Sequence, residues 1–283
     1  MQFYLAVCGV FRDEALYLRE WIDFHRAVGC EYFFLYNNFG SDDFRSVLTP
    51  YVDNGIVTLV DWPVPFRKGG QTGAYRHCVV NFGGTSRWIA FLDIDEFLFA
   101  PGGPGLNDVL PDYERFPGVV VNWQVYGSSG HVEKPKGLVT DNFVRRAETQ
   151  WPRNRRVKSI VDPRRTVGSN GPHFFTYRDD EPAVTENCEP VQIIRSKKEI
   201  PPTDQLPPGG AASLDFDPYG IRHSSAASVS VNRLRINHYV VKSQAEYSDK
   251  MNRYNKSTVY GDFHFDYHDR NEVYDPVLQG LIS

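Results

Sequence analysis

Three acidic residues, Asp93, Asp95 and Glu96, follow directly after an apolar run at residues 88–92. The run is short and rich in β-branched and aromatic residues, which predicts a buried strand. Because unpaired carboxylates are costly to bury, this strand must end at an edge open to water or to a cation. Alternation sends Asp93 and Asp95 to the same side. Two such carboxylates suit Mg²⁺ or Mn²⁺ bound to a diphosphate, although a capped strand end or a solvated acidic turn has the same short pattern.

The elements that position these acids alternate between strand and helix over the first hundred residues. The predicted strands cover residues 3–10, 32–36, 57–60 and 88–92, and the predicted helices cover residues 14–28, 44–51 and 70–82. Such alternation is typical of a parallel sheet covered by helices, with ligands bound outside the carboxyl ends of the strands. We therefore expect an α/β fold with a mostly parallel central sheet and flanking helices.

The second part of the chain is less regular. A short helix is predicted at residues 106–113, strands at residues 119–125, 157–161 and 234–241, and a last helix at residues 243–254. Ser243 and Glu246 have the spacing of a capping box at the start of that helix. Proline and glycine between residues 200 and 217 indicate a loop or lid.

The composition excludes several classes of protein. A formal net charge of −4 over 283 residues argues against a broad nucleic-acid interface. No apolar stretch approaches the roughly 20 residues that span a bilayer, and the first residues lack the basic start of a signal peptide. The four cysteines have no Cys-x-x-Cys spacing, which indicates neither a zinc site nor a disulfide framework. These features predict a reducing, cytoplasmic setting.

Longer motifs surround the acids. They are Cys-Gly-Val-Phe-Arg-Asp-Glu at residues 8–14, Glu-Trp-Ile-Asp-Phe-His at 20–25, Tyr-Asn-Asn at 36–38, Trp-Ile-Ala-Phe-Leu-Asp-Ile-Asp-Glu-Phe at 88–97, Asn-Trp-Gln-Val-Tyr-Gly-Ser-Ser-Gly-His at 122–131 and Ile-Asn-His-Tyr at 236–239. Together they resemble glycosyltransferase family 92, from the first strand to about residue 255. The resemblance implies a GT-A fold and a metal-dependent, inverting transfer of a sugar, best known as galactose from UDP-galactose. We expect a single domain over residues 1–283, with a nucleotide-sugar half at 1–100 and an irregular acceptor half at 101–283 that includes the loop at 200–217.

The resemblance also assigns roles to residues. Asp93 would contact the ribose or a metal-bound water, Asp95 would coordinate Mn²⁺ or Mg²⁺, and His238 would be the third protein ligand. A divalent ion suits a diphosphate leaving group because it neutralises the developing charge. The expected nucleotide-sugar contacts are Val10, Arg12, Glu14, Asn37, Asn38, Gln71, Tyr75, Asp93 and Lys242. A simple turn explains Asn37 and Asn38 equally well.

The motif at residues 122–131 predicts the acceptor site. Aromatic residues at a strand end, followed by a loop rich in glycine and hydroxyl groups, suit the faces and hydroxyls of a glycan. The expected acceptor contacts are Trp123, Tyr126, Gly127, Ser128 and His131. Inversion needs a base within hydrogen-bond reach of the acceptor hydroxyl. His131, Asp180 and Glu181 are the candidates, and the base stays unassigned.

Several interpretations follow from these patterns. The leading one is a glycosyltransferase of bacterial type that uses a UDP-sugar and acts on a glycan or a lipid-linked glycan. A basic stretch at residues 145–165 predicts peripheral contact with an anionic membrane, a diphosphate or an anionic glycan, or forms a solvated face. The alternatives are a noncatalytic carbohydrate-binding protein that retains the fold and a metal-dependent phosphohydrolase. The phosphohydrolase is disfavoured because additional His/Asp pairs for a second metal are missing from the sequence.

Overall fold

The computed structural model describes residues 1–103, 105–169, 171–193, 211–216, 222–226, 228–253 and 265–282. The strands are β1 (Phe3–Phe11), β2 (Tyr32–Asn37), β3 (Val57–Asp61), β4 (Ser86–Leu92), β5 (Glu96–Phe99), β6 (Gly118–Val125), β7 (Arg145–Arg146), β8 (Val157–Val161), β9 (Thr166–Ser169), β10 (Phe175–Tyr177), β11 (Gln192–Ile193), β12 (Ala211–Phe216), β13 (Arg222–Ser225), β14 (Arg235–His238) and β15 (Val273–Tyr274). The α-helices are α1 (Ala15–Ala27), α2 (Phe44–Asp53), α3 (Gly70–Phe82), α4 (Leu106–Val109), α5 (Val139–Asn142) and α6 (Gln244–Arg253). Short 3-10 turns lie at Phe66–Lys68, Gly83–Thr85, Leu110–Tyr113, Pro152–Arg155 and Arg178–Asp180.

The central sheet has eight strands in the order β3-β2-β1-β4-β8-β6-β14-β5. Strands β1 to β4 are parallel neighbours, and β14 is parallel to β6. Strand β8 is antiparallel to both β4 and β6, and β5 is antiparallel to β14. Because β8 runs the other way, its first residues lie at the edge where β4 ends. The predicted α/β fold, with a mostly parallel central sheet, is confirmed.

Both faces of the sheet are buried, which explains the nearly continuous apolar runs in its strands. On one face, Leu5 and Val7 of β1 pack in the same cluster as Trp21 of α1. On the other face, Ala6 and Cys8 pack in the cluster that includes Tyr75 of α3. Helices α1 and α3 therefore cover opposite faces and bring their first turns to the edge where the parallel strands end.

The predicted elements are confirmed with small shifts at their ends. The exception among the strands is the one predicted at residues 234–241, which ends at His238. Beyond it the chain turns: Tyr239 N–H donates to Asp95 O over 2.9 Å, and Lys242 adopts a left-handed φ of 55°. The helix predicted at residues 106–113 divides into α4 and a 3-10 turn, since Pro111 has no N–H to continue the helix.

The prediction of a loop over residues 200–217 is wrong for part of that range. Ala211–Phe216 forms the strand β12 because residues 213–216 pair antiparallel with residues 222–225 of β13. Residues 200–210 and 217 lie outside the described part of the chain.

The last helix starts as predicted. Ser243 Oγ accepts the Glu246 N–H over 3.2 Å, and Glu246 Oε2 accepts the Ser243 N–H over 3.2 Å, which is the reciprocal pattern of a capping box. Residue 254, the predicted end, lies outside the described residues. Among the helices that the structure describes, none is both long and apolar enough to cross a bilayer.

Candidate functional site

The acidic turn at residues 93–95 joins β4 to β5 at the carboxyl end of the parallel strands. Its backbone is fixed from two sides. Trp21 Nε1 donates to Asp93 O over 3.1 Å and to Glu96 O over 2.8 Å. Glu96 Oε2 accepts the Asp93 N–H over 2.8 Å. The turn is thus held by α1 and by Glu96, the first residue of β5, and these bonds orient the two aspartates.

The Asp93 carboxylate is held by two other elements and remains partly open. Lys158 Nζ of β8 lies 2.9 Å from Asp93 Oδ2, and Gln71 Nε2 of α3 donates to Asp93 Oδ1 over 2.6 Å. The Asp93 side chain is 36% exposed. Gln71 also donates to the Tyr75 hydroxyl over 3.0 Å. Of the two predicted contacts on α3, Gln71 therefore lies at the site, whereas Tyr75 is fully buried and supports Gln71 from behind.

A buried ion pair lies beneath the turn. Lys158 is 1% exposed and Glu96 is fully buried, with Lys158 Nζ 3.3 Å from Glu96 Oε2. Burial raises the pKa of Glu96 well above its ordinary value and outweighs the opposing effect of Lys158. Burial alone would lower the pKa of Lys158, but Asp93 and Glu96 raise it well above its ordinary value. Lys158 Nζ thus lies between two carboxylates, 2.9 Å from Asp93 Oδ2 and 3.3 Å from Glu96 Oε2, and the buried Glu96 is the one whose pKa is raised.

Asp95 faces a different set of partners. Lys250 Nζ of α6 lies 2.5 Å from Asp95 Oδ2, and His238 Nε2 lies 3.5 Å from Asp95 Oδ1. Burial raises the pKa of Asp95, but Lys250, His238 and Lys242 outweigh it and hold the pKa well below its ordinary value. His238 reaches this place because β14 pairs it with Glu96 on one side and with Val125 on the other.

Only some of the side chains at this edge are suited to be ligands of a divalent cation. Asp95 Oδ1 and His238 Nε2 are adjacent oxygen and nitrogen donors on one side of the edge, which suits Mn²⁺ or Mg²⁺ with open positions for other ligands. Asp93 fits less well, since Lys158 and Gln71 occupy its two oxygens. Within the described ranges, no three His, Cys, Asp or Glu side chains converge as metal ligands. The three-residue site of Asp93, Asp95 and His238 stays a prediction.

Lys242 lies next to the pair of Asp95 and His238. It is 5% exposed, and its Nζ is 4.3 Å from the centre of the Tyr17 ring. Burial and the nearby Lys250 lower the pKa of Lys242, against the opposing effects of Asp95, Glu14 and Glu246. Two lysines, one predicted and one not, therefore stand beside Asp95. Lys250 lies in α6, and no motif in the sequence singles it out.

The carboxyl ends of β1 and β2 carry the other residues that were predicted to contact the nucleotide. Val10 is 6% exposed in the sheet, and the Arg12 side chain is 36% exposed with Nε 3.7 Å from Asp13 Oδ2. Glu14 immediately precedes α1. Asp13 has a left-handed φ of 53° and its Oδ1 accepts the Ser41 N–H over 2.6 Å. The side chain of Arg12 is thus presented at the edge by a turn that Asp13 stabilises.

The two asparagines at the end of β2 hold loops together. Asn37 Nδ2 donates to Asp61 Oδ1 over 2.9 Å, and Asn37 Oδ1 accepts the Gly40 N–H over 2.8 Å. Asn38 is 1% exposed, and its amide donates to the carbonyls of Trp62 and Val64 over 2.8 Å each. These bonds favour the interpretation as a turn. A direct contact with a base stays a prediction.

The predicted acceptor residues are packed more tightly than the sequence suggested. Trp123 is 4% exposed, with its ring centre 4.3 Å from that of His238, and its buried Nε1 has no hydrogen-bond partner among the residues that the structure describes. Tyr126 is 1% exposed, and its hydroxyl accepts from Arg235 over 2.7 Å and donates to Asp275 O over 3.1 Å. Tyr126 therefore presents no face for a sugar, because the C-terminal segment covers it.

The loop after β6 lies under the same segment. A Cβ on Gly127 would lie 2.4 Å from Arg270 O, so only glycine allows this approach. Ser128 is 3% exposed, and its N–H donates to Asp269 Oδ1 over 2.5 Å. His131 is half-buried, and its carbonyl accepts the Gln244 N–H over 3.3 Å. The loop thus connects the end of β6 to the start of α6.

The carboxylate candidates for the base lie elsewhere. Glu181 pairs with Arg165, whose guanidinium also donates to Arg115 O over 3.0 Å. Arg165 follows the end of β8, whereas Lys158, beside Asp93, is near its beginning. Glu181 and its neighbour Asp180 are therefore at the opposite end of β8 from the acidic turn, an arrangement that argues against both. His131, which contacts the start of α6, is the better placed of the three.

Comparisons with known proteins show the family to which this chain belongs. The profile of "Glycosyltransferase family 92" matches residues 2–192. A glycosyltransferase family 92 protein of rice (Oryza sativa subsp. japonica) is 33% identical over 56% of this chain and 27% of its own length. Beta-1,4-galactosyltransferase galt-1 of Caenorhabditis elegans is 32% identical over 29% of this chain and 21% of its own length. The chain spans only about a third or less of the length of these curated relatives.

Solved structures show more distant likenesses. S. aureus TarS in complex with UDP-GlcNAc has a TM-score of 0.36 at 10% identity, over 56% of this chain and 45% of that chain. HddC from Yersinia pseudotuberculosis has a TM-score of 0.36 at 8% identity, over 66% of this chain and 91% of that chain. The profile match extends over most of this chain and includes Asp93, Asp95 and Lys158. The chain belongs to glycosyltransferase family 92.

Proposed function

We propose that this glycosyltransferase is metal dependent and transfers a sugar from a UDP-sugar to a glycan or lipid-linked glycan with inversion. The observation that carries the proposal is the Asp95–His238 donor pair, 3.5 Å apart at the carboxyl edge of the sheet. Relatives named galactan beta-1,4-galactosyltransferase GALS2, from Arabidopsis thaliana, and beta-1,4-galactosyltransferase galt-1 favour galactose as the sugar.

Each side chain at the edge has a role in this proposal. Asp95 and His238 would hold Mn²⁺ or Mg²⁺, which when bound neutralises the charge of the leaving diphosphate. Lys242 adds a fixed positive charge for a phosphate. Asp93, which lies 2.9 Å from Lys158 Nζ and is partly exposed, would accept a hydrogen bond from a ribose hydroxyl or a metal-bound water. Arg12 and Gln71 complete the donor side.

The acceptor side rests on fewer contacts. Trp123 and His131 lie at the end of β6 and in the loop that follows it, and His131 is the candidate that would take the proton from the acceptor hydroxyl. The cytoplasmic setting and the peripheral membrane contact belong to the proposal. The relatives named above come from plants and a nematode and lend no support to a bacterial origin.

Thermal unfolding with nucleotides tests the proposal. UDP, GDP, ADP and their sugar conjugates are each added with Mn²⁺ or with EDTA. A ligand at about a hundred times its Kd stabilises the folded state by roughly 2.7 kcal/mol. We expect a stabilisation by UDP that requires Mn²⁺ and is lost in Asp95→Asn.

The control is Asp112→Asn, which removes an exposed carboxylate. Asp112 pairs with Arg233, and neither residue is assigned to the site. This variant should keep the stabilisation by UDP. If no nucleotide changes the unfolding temperature in either metal condition, the noncatalytic carbohydrate-binding alternative replaces the proposal. That alternative predicts glycan binding that is independent of nucleotide and metal.

A further inference from the structure

Lys250 is the residue at the edge that the proposed function does not use. Its Nζ lies 2.5 Å from Asp95 Oδ2 and 3.4 Å from Val240 O. The side chains of Lys250 and Asp95 are 20% and 12% exposed. At such burial a carboxylate and an ammonium interact far more strongly than in water. Lys250 thus neutralises the carboxylate that the proposed function assigns to the cation.

The helix that carries Lys250 is fixed at its other end. The capping box of Ser243 and Glu246 closes the start of α6, and the Tyr17 hydroxyl of α1 donates to Glu246 Oε1 over 2.6 Å. This anchoring keeps the backbone of Lys250 close to Asp95 while α6 stays docked on α1. The long, flexible lysine side chain can still move its ammonium by several ångströms without moving the helix.

The local charges make the present pair incompatible with a cation. Lys242, whose pKa the charge of Lys250 already helps to lower, stands next to the same carboxylate. A divalent ion on Asp95 and His238 would meet two ammonium groups within a partly buried site. The repulsion is relieved if Lys250 leaves Asp95 Oδ2, and a diphosphate that arrives with the cation offers it a new anionic partner.

Building on the proposed function, we propose that Lys250 is an exchangeable counter-ion. In the nucleotide-free protein it pairs with Asp95 and opposes binding of the metal alone. When metal and nucleotide bind together, the ammonium passes from Asp95 to the diphosphate oxygens. Lys250 is thus a residue that binds the donor and makes the binding of metal and nucleotide mutually dependent.

The variant Lys250→Met separates the two halves of this role. Affinity for Mn²⁺ alone should rise about tenfold, since the competing ammonium is gone, and affinity for UDP at saturating Mn²⁺ should fall about tenfold. Mn²⁺ binding is measured from the electron paramagnetic resonance signal of the free ion, and UDP binding by calorimetry. Lys250→Arg, which keeps the charge, should stay close to the wild-type protein. Lys136→Met, which removes an exposed lysine, should change neither affinity.

The opposite changes in Mn²⁺ affinity and UDP affinity distinguish this role from a purely structural one. If Lys250→Met weakens both Mn²⁺ and UDP binding, the residue only supports the fold of the site and the inference is wrong; unchanged affinities would overturn it equally. Should the Met variant fail to fold, Lys250→Gln must show the same pair of opposite changes. A wild-type protein that binds neither Mn²⁺ nor UDP contradicts the proposed function itself, which separates that failure from a failure of the exchange.

Discussion

At the scale of single residues, the site depends on lysines that neutralise the acids of the turn. Lys158 is the more deeply buried, at 1% exposure, and it lies 2.9 Å from Asp93. A buried ammonium is costly unless it is paired, so its presence in an apolar strand needs a partner of opposite charge. Asp93 provides that partner, and the pair in turn fixes the carboxylate toward the open edge.

Replacement of Lys158 by methionine should therefore be costly. Lys158→Met leaves Asp93 without its cation and Glu96 without a neighbouring charge, and we expect the free energy of unfolding to fall by about 3–5 kcal/mol. Urea denaturation measures the change. The matched control is Arg45→Met, which breaks the exposed pair with Asp61 and should cost less than about 1 kcal/mol. Equal losses in the two variants would contradict the role assigned to burial.

At the scale of elements, α1 is tied to the strand after the acidic turn by a histidine. His25 is fully buried, its Nδ1 lies 2.8 Å from Trp21 O, and its Nε2 accepts the Leu98 N–H over 3.2 Å. This pattern places the ring proton on Nδ1. Burial lowers the pKa of His25 to about 3, against a small opposing effect of the Trp21 carbonyl. The link between α1 and β5 thus needs a neutral imidazole.

Because the pKa of His25 differs between the folded and the unfolded chain, the stability of the protein depends on pH. In the unfolded chain His25 takes up a proton near pH 6.5, whereas the folded protein resists it until about pH 3. Between these values the unfolded state binds more protons, so this residue should remove about 1.4 kcal/mol of stability for each pH unit of acidification. Denaturation of the wild-type protein and of His25→Gln is compared from pH 7 to pH 4. We expect a weaker acid dependence in the variant, and parallel curves would show that His25 does not titrate as described.

At the scale of the whole molecule, the C-terminal segment at residues 265–282 covers the end of β6 and the loop that follows it. Asp275 Oδ2 accepts from Arg146 Nε over 2.6 Å and from Arg235 Nη2 over 2.9 Å. Burial raises the pKa of Asp275, but the two arginines outweigh it and lower the pKa below its ordinary value. The segment therefore joins β7, β14 and the chain end around one carboxylate.

Loss of this carboxylate should release the segment. Asp275→Ala leaves Arg235, 6% exposed, without its anion, and we expect a loss of about 3–5 kcal/mol in the free energy of unfolding. Hydrogen exchange should also become faster at residues 126–130, which lie beneath the segment. Glu272→Ala, whose partner Arg270 is about one third exposed, is the control and should cost less than about 1 kcal/mol. Unchanged exchange at residues 126–130 in Asp275→Ala would show that the segment is held by other contacts.

Local patterns in the sequence were enough to predict the elements and the sheet edge at which Asp93 and Asp95 lie. The run before Asp93, the strand–helix alternation and the Ser243–Glu246 spacing are local patterns, and each specifies its own backbone. The family motifs added Asp95 and His238 as a pair, which the structure places 3.5 Å apart. The elements follow from neighbours along the chain, whereas the Asp95–His238 pair could be predicted only from the resemblance to the family.

Only the tertiary structure decided which charges meet. Lys158 reaches Asp93 because β8 is inserted antiparallel between β4 and β6, and Lys250 reaches Asp95 because α6 docks on α1. It also decided that Tyr126 is covered, and that Glu181 lies at the wrong end of β8. No local pattern encodes these pairings, since they join residues far apart in sequence, and the energy of a charge depends on the partners and burial that the fold provides.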